Sequence, residues 1–201
     1  MQTLWQTEEQ YAHGASPVCG VDEAGRGPLA GPVCAAACIL PFGLELPGLN
    51  DSKKLSEKQR ERLYEEITAQ ALAWSVFLVD ERTVDEINIL QATFRAMRGA
   101  VAGLQVRPEL CLVDGNQDPG LSLPTLTVVH GDAQCASIAA ASVLAKVTRD
   151  RLMLQYAAQY PQYGFEKHKG YGTKAHYAAL DTYGPCPIHR RTFLKKRYGG
   201  D

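Results

Sequence analysis

Apolar residues along this chain follow two periods that alternate. Short β-favouring runs lie near 18–22, 31–40, 72–79, 110–114 and 125–130. Between and after them the spacing turns helical. Leu63, Ile67 and Ala71 share one face behind a capping box of Ser56 and Gln59, a second helix is predicted over 85–102, and a third over 134–160. The third is rich in Ala and Ser around Ile138, Leu144 and Val147, which suits a helix lying close against a sheet. Strands alternating with helices predict an α/β fold. A cluster of Pro and Gly over 160–171 predicts a main domain, 1–160, and a smaller basic helical C-terminal segment, 161–201, packed on it.

Three of the β-like runs end in acid. Asp22 and Glu23 follow 17–21, Asp114 follows 110–113, and Asp132 follows 126–131. Parallel strands of an α/β sheet present their C-terminal ends along one edge, where sites form, so parallel neighbours would bring these four carboxylates together. The link 115–124 holds two prolines and no helical pattern, and it is shorter than the dozen or more residues usual for a parallel crossover. That argues against a parallel last strand. Four carboxylates without intervening bases repel one another and raise each other's pKa, so the cluster makes sense chiefly as a cage for Mg²⁺ or Mn²⁺. Two such ions about 3.5 to 4 Å apart clamp the attacking and leaving oxygens of a phosphoryl displacement.

The stretch from Asp22 to Gly27 adds an arginine between glycines. Neighbouring strand side chains point to opposite faces, so Asp22 and Glu23 share an ion only where the pleat ends, and Gly25 and Gly27 supply a turn there. Bare glycine backbone leaves N–H groups uncovered for an anion nest beside Arg26. On the chemistry of this hexapeptide alone, an ordinary acidic turn with a surface arginine fits equally well.

Composition narrows the class of partner. The 201 residues suffice for one compact domain, and no apolar run approaches the roughly 18 residues of a membrane span. The N-terminus carries Glu8 and Glu9 rather than a basic start before an apolar block, so no signal peptide is expected and the cytoplasm is the expected compartment. Six cysteines form no C-x-x-C pair and read as reduced packing residues. The net charge of −1 hides a division: residues 1–145 hold 10 Lys and Arg against 18 Asp and Glu, whereas 146–201 hold 11 against 4. With Tyr156, Tyr160, Tyr163, Tyr171, Tyr177 and Tyr183 interleaved, the basic quarter reads as a nucleic-acid flank, a solvated helix face being the alternative. No Ser-His-Asp or reactive-cysteine arrangement suggests a covalent route. A monomer without an obligate protein partner is expected.

The blocks GVDEAGRGPLAGPV from Gly20, DSKKL from Asp51, LVDGN from Leu112, GD at Gly131 leading into SIAAASVLAKVTRD from Ser137, HKGYGTKAH from His168 and GPCPIHRRTF from Gly184 run in order across nearly the whole chain. Together they resemble ribonuclease HII, a type 2 ribonuclease H. The resemblance implies a ribonuclease H-like mixed sheet flanked by helices, with Mg²⁺ or Mn²⁺ as cofactor. It implies cleavage of the RNA strand of RNA/DNA hybrids and nicking on the 5′ side of single ribonucleotides in duplex DNA, leaving a 3′-OH and a 5′-phosphate. Type III relatives carry an extra N-terminal domain, for which the short stretch before the first strand leaves no room.

Carried over by position, the resemblance assigns Asp22, Glu23, Asp114 and Asp132 to metal binding and catalysis. It assigns Gly25, Arg26 and Gly27 to gripping the ribonucleotide through its 2′-OH and phosphate, and Tyr171 to substrate recognition by stacking on the next deoxyribose. Lys53 and Lys146, with Lys54, Arg149, His168, Lys169 and Lys174, are expected phosphate contacts. His176 and His189 stay open between function and helix packing. Two other readings remain: a ribonuclease H-like nuclease without the glycine grip, and a catalytically silent hybrid-binding module, which the presence of all four acids argues against.

Overall fold

The computed structural model describes residues 3–199. Five strands, β1 (Val18–Ala24), β2 (Val33–Ile39), β3 (Ala73–Val79), β4 (Leu110–Asp114) and β5 (Thr125–Val128), form one mixed sheet in the order β3-β2-β1-β4-β5. β2 runs antiparallel to β1 and β3, whereas β4 is parallel to β1 and β5 is parallel to β4. The helices are α1 (Leu4–Ala12), α2 (Glu57–Gln70), α3 (Glu81–Ala102), α4 (Ala136–Gln159), α5 (Phe165–His168), α6 (Lys174–Tyr183) and α7 (Arg191–Tyr198).

All seven residues of β2 are buried, because helices cover both faces of the sheet. The period of two sorts them. Val33, Ala35, Ala37 and Ile39 pack with Val84, Ala92, Ala96, Met97 and Ala100 of α3, while Cys34, Ala36 and Cys38 meet Leu63 and Ile67 of α2 and Ala140, Val143 and Leu144 of α4. Small side chains let α4 lie close to the sheet. A Cβ at Gly20 would overlap the Ser137 carbonyl carbon and the Ile138 nitrogen, so only glycine in β1 admits the start of α4. That close approach also fixes the turn just before α4, where Asp132 sits.

The last strand is parallel, contrary to the expectation from its short link. β4 has five residues, about 17 Å long, and ten extended residues reach about 33 Å, so 115–124 can return without a helix. The second helix begins before 85, capped by Asp80, whose Oδ1 accepts from the Thr83 amide at 2.8 Å. It breaks at Asn88 (φ 65°, ψ 165°), whose side-chain oxygen accepts from the Leu90 and Gln91 amides and so caps the second half. α1 was not expected from the sequence. Its buried Glu8 accepts from the Ser137 amide at 2.7 Å and the Ser137 hydroxyl at 3.0 Å, supplying the cap that Cys135 does not give α4. Beyond residue 160, Tyr163, Phe165, Leu180, Ile188 and Leu194 pack on Leu29, Ala30 and Met153. All six cysteines are free and buried. Among the described residues, no helix is long and apolar enough to cross a membrane.

Candidate active site

One step beyond the pair Val21 and Val113, the parallel register of β1 and β4 sets Asp22 beside Asp114. Asp114 in turn holds the next element: its Oδ1 accepts from the Gly131 amide at 2.7 Å, fixing the 3-10 turn Gly131–Ala133 that carries Asp132. One carboxylate oxygen from each of Asp22, Asp114 and Asp132 lies within 4.8 Å of the others. Burial, then the Glu23 and Asp114 charges, holds Asp22 well above the ordinary carboxylate range, against hydrogen bonds from Ser142 and the Glu23 amide. Burial, then Asp114 and Asp51, raises Asp132 as well, with Lys53 opposing. Mutually repelling oxygens with no soft ligand among them fit a hard divalent cation of the Mg²⁺ or Mn²⁺ kind.

Glu23 stands apart from these three. Burial raises its pKa, while the Arg26 guanidinium, 3.6 Å away, opposes that rise and Asp114 adds to it. Lys53 reaches the cluster from another side, with its Nζ 3.8 Å from Asp132 Oδ2. The turn Ser52–Lys54 presents it, because Asp51 Oδ1 accepts from the Lys53 amide at 2.9 Å and the Ser52 hydroxyl meets that of Ser142 at 2.8 Å. Ser142 therefore touches both the lysine turn and Asp22.

Beside the acids opens a cavity of about 200 Å³ lined by Glu23, Gly25, Arg26, Gly27, Lys53, Lys146, Arg149 and Tyr171. The sequence-predicted substrate residues thus converge on one space. Gly25 needs its left-handed φ of 94°, and a Cβ there would overlap the Arg149 side chain. Gly27 is different: a Cβ would find open space as far as Tyr171 Cε1, 3.6 Å away. Among the described residues the amides of Arg26 and Gly27 donate to no protein acceptor, whereas the carbonyls of Gly25, Arg26, Pro28 and Gly31 all accept from Arg190. Carbonyls are drawn inward, and the two residues with unused amides, Arg26 and Gly27, line the cavity.

Several expected phosphate contacts have other partners. Arg149 is 1% exposed and donates to the carbonyls of Pro32, Lys169 and Ala30, each at 3.0 Å, so it braces the backbone. His168 is buried with both ring nitrogens engaged, one by the Tyr163 carbonyl at 2.8 Å and the other by the Gly170 amide at 3.2 Å. Lys146 lines the cavity with its ammonium on Asp150 at 2.7 Å. Lys169 Nζ donates to the Glu166 carbonyl at 2.6 Å, while Lys54 and Lys174 are exposed. His176 and His189 are packing residues that also hold Tyr171. The Tyr171 carbonyl accepts from His176 Nδ1 at 2.9 Å, His176 Nε2 meets His189 Nε2 at 3.0 Å, and His189 Nδ1 accepts from the Cys186 amide at 3.0 Å. Burial pulls both imidazoles down to about 4, so they are neutral near pH 7.

The raised carboxyls make stability depend on pH when no metal is bound. A carboxyl raised by folding binds its proton more tightly in the native chain than in the unfolded one. Its penalty is therefore full above the raised value and fades as pH falls toward the ordinary value of about 4. Thermal unfolding in chelator should show the wild type gaining on Asp22→Asn as pH falls from neutral, with about 2–4 °C for each kcal/mol. A pH-independent gap between the two would refute the buried-charge account.

A five-stranded sheet in this order, with aspartates at the ends of its two central parallel strands, defines a class, the ribonuclease H-like metal-dependent nucleases. The family model described as Ribonuclease HII matches residues 19–197. A ribonuclease HII of Endomicrobium trichonymphae is 61% identical over 184 residues, covering 91% of this chain and 88% of that protein. One from Caldicellulosiruptor saccharolyticus is 54% identical over 178 residues, covering 89% and 87%. The crystal structure of the ribonuclease H2 from Pyrococcus horikoshii OT3 superposes with a TM-score of 0.75 at 28% identity, covering 92% of this chain and 99% of that one. The chain belongs to the ribonuclease HII family, and it is an endoribonuclease, a hydrolase that depends on divalent metal and acts on RNA/DNA hybrids.

Proposed function

We propose that this enzyme, besides cutting hybrids, nicks duplex DNA on the 5′ side of a single embedded ribonucleotide, leaving a 3′-OH and a 5′-phosphate. The observation that carries the reading is the adjacency of the carboxylate cluster to a cavity lined by Arg26 and Gly27, whose amides have no protein acceptor among the described residues, and by Tyr171. A 2′-OH is the feature that distinguishes RNA from DNA at one position, and bare glycine backbone can approach it closely. Asp22, Glu23, Asp114 and Asp132 would hold Mg²⁺ or Mn²⁺, Glu23 leaving Arg26 to do so. When bound, divalent ions make water a nucleophile near neutral pH and offset charge on the leaving oxygen. Gly25, Arg26 and Gly27 would grip the ribonucleotide, Tyr171 would stack on the following deoxyribose, and Lys53 would meet a phosphate. Lys146 would reach one on exchanging Asp150 for it.

Residues 161–201 serve in this reading as a basic helical flank on a catalytic domain of 1–160, in a cytoplasmic monomer. The test is cleavage of three end-labelled duplexes, namely a continuous hybrid, DNA with one ribonucleotide, and all-DNA, with and without chelator. Metal-dependent cutting of the first two, with 3′ ends that a polymerase extends, is expected. Cutting of the hybrid alone, or ends carrying a cyclic phosphate, would remove the single-ribonucleotide reading.

A further inference from the structure

Arg190 is 0% exposed, and none of its hydrogen bonds goes to a carboxylate. Nε donates to the Gly31 carbonyl at 3.0 Å, Nη1 to those of Arg26 and Pro28 at 2.9 Å each, and Nη2 to those of Gly25 at 2.6 Å and Gly31 at 2.8 Å. One planar fork thus takes four carbonyls from a seven-residue loop, which a lysine ammonium with three donors has neither the number nor the geometry to copy. The arginine is itself anchored. Its amide donates to the Leu29 carbonyl at 2.8 Å, and the next two amides, of Arg191 and Thr192, donate to the Asp85 carboxylate at 2.7 and 3.0 Å. A peptide whose carbonyl is drawn inward turns its following N–H outward: of the amides that follow the gathered carbonyls, Leu29 donates to Gly170, while those of Arg26 and Gly27 have no protein acceptor among the described residues.

We propose that Arg190 is a positioning residue for ribonucleotide recognition: by gathering the carbonyls of Gly25, Arg26, Pro28 and Gly31 it aims the loop's free amides at the substrate's sugar and phosphate. The proposal rests on the single-ribonucleotide reading above. Arg190 touches none of the three clustered aspartates and meets Arg26 only at its carbonyl, so metal binding and general duplex affinity should change little when it is replaced.

The experiment compares wild type, Arg190→Lys and Arg190→Ala on a single-ribonucleotide duplex, with Mn²⁺ binding by calorimetry and all-DNA duplex affinity measured alongside. Arg190→Lys should fold, keep both binding constants within about threefold, and lose about a hundredfold in kcat/KM, the size expected when reacting groups are misplaced by about 1 Å. Millimolar guanidinium should restore part of the Arg190→Ala activity by occupying the vacated fork site, whereas methylammonium should not. A Lys variant as active as wild type, or equal effects of the two cations, overturns the proposal. So does failure of both variants to fold, which would make Arg190 a scaffold residue. Wild type that leaves the single-ribonucleotide duplex intact would instead sink the underlying reading.

Discussion

Asp22→Asn or Asp114→Asn is expected to lower cleavage by at least about a thousandfold, some 4 kcal/mol of transition-state stabilisation, while the chain stays folded and still binds duplex. The three aspartates meet because β1 and β4 are parallel and because Asp114 grips the Gly131 amide. Asparagine at 22 keeps the shape and can still meet Ser142, but it removes one of the charges that a divalent cation needs. The loss should therefore fall on metal affinity and turnover. Duplex binding, assigned in the proposed reading to cations elsewhere, should persist. Single-turnover rates in saturating Mg²⁺ and a calorimetric Mn²⁺ titration decide the matter, and turnover within about tenfold of wild type would sink the metal-site assignment.

The acids were legible in the sequence because each closes a β-favouring run, and strand ends are local features. What brings them together is not local. The parallel pairing of β5 was obscured by a link that looked too short, and only the five-residue length of β4 explains how it suffices. The basic quarter was half legible. Its charge excess is real, yet Arg149 and Arg190 are buried among carbonyls, and no count of charges separates a buried guanidinium from a surface one. Arg190 stands next to exposed Arg191 in HRR, so their roles part only through a long-range contact with residues 25–31. α1 escaped notice for the same reason, since Glu8 matters through Ser137, far along the chain. Removing everything beyond residue 160 would take away the support of the glycine loop along with the positive surface, so single replacements of exposed lysines test the flank more cleanly.

Gly27→Val should separate recognition from folding and from metal binding. Gly27 has no left-handed φ and is exposed, and a Cβ there meets only Tyr171 Cε1 at 3.6 Å, so stability is expected to change by no more than about 0.5 kcal/mol, as for other surface replacements. In the proposed reading the same side chain would occupy the place where the ribose approaches the unused amides. Incision at a single ribonucleotide should fall about a hundredfold with duplex affinity largely kept. Gly25→Ala makes the contrast, because its φ of 94° and the overlap with Arg149 should cost stability first. Tyr171→Ala completes the set. The Tyr171 amide donates to the His168 carbonyl and its own carbonyl accepts from His176, so the backbone should hold when the half-exposed ring is removed. Stacking worth about 1–3 kcal/mol would vanish, and more of that loss should appear on the single-ribonucleotide duplex than on continuous hybrid, which lacks an RNA-to-DNA junction. Initial rates on both substrates, after circular dichroism confirms folding, give the answer. Near wild-type cutting by both Gly27→Val and Tyr171→Ala would show that the junction is read elsewhere and leave only the carboxylate chemistry common to ribonuclease H-like nucleases.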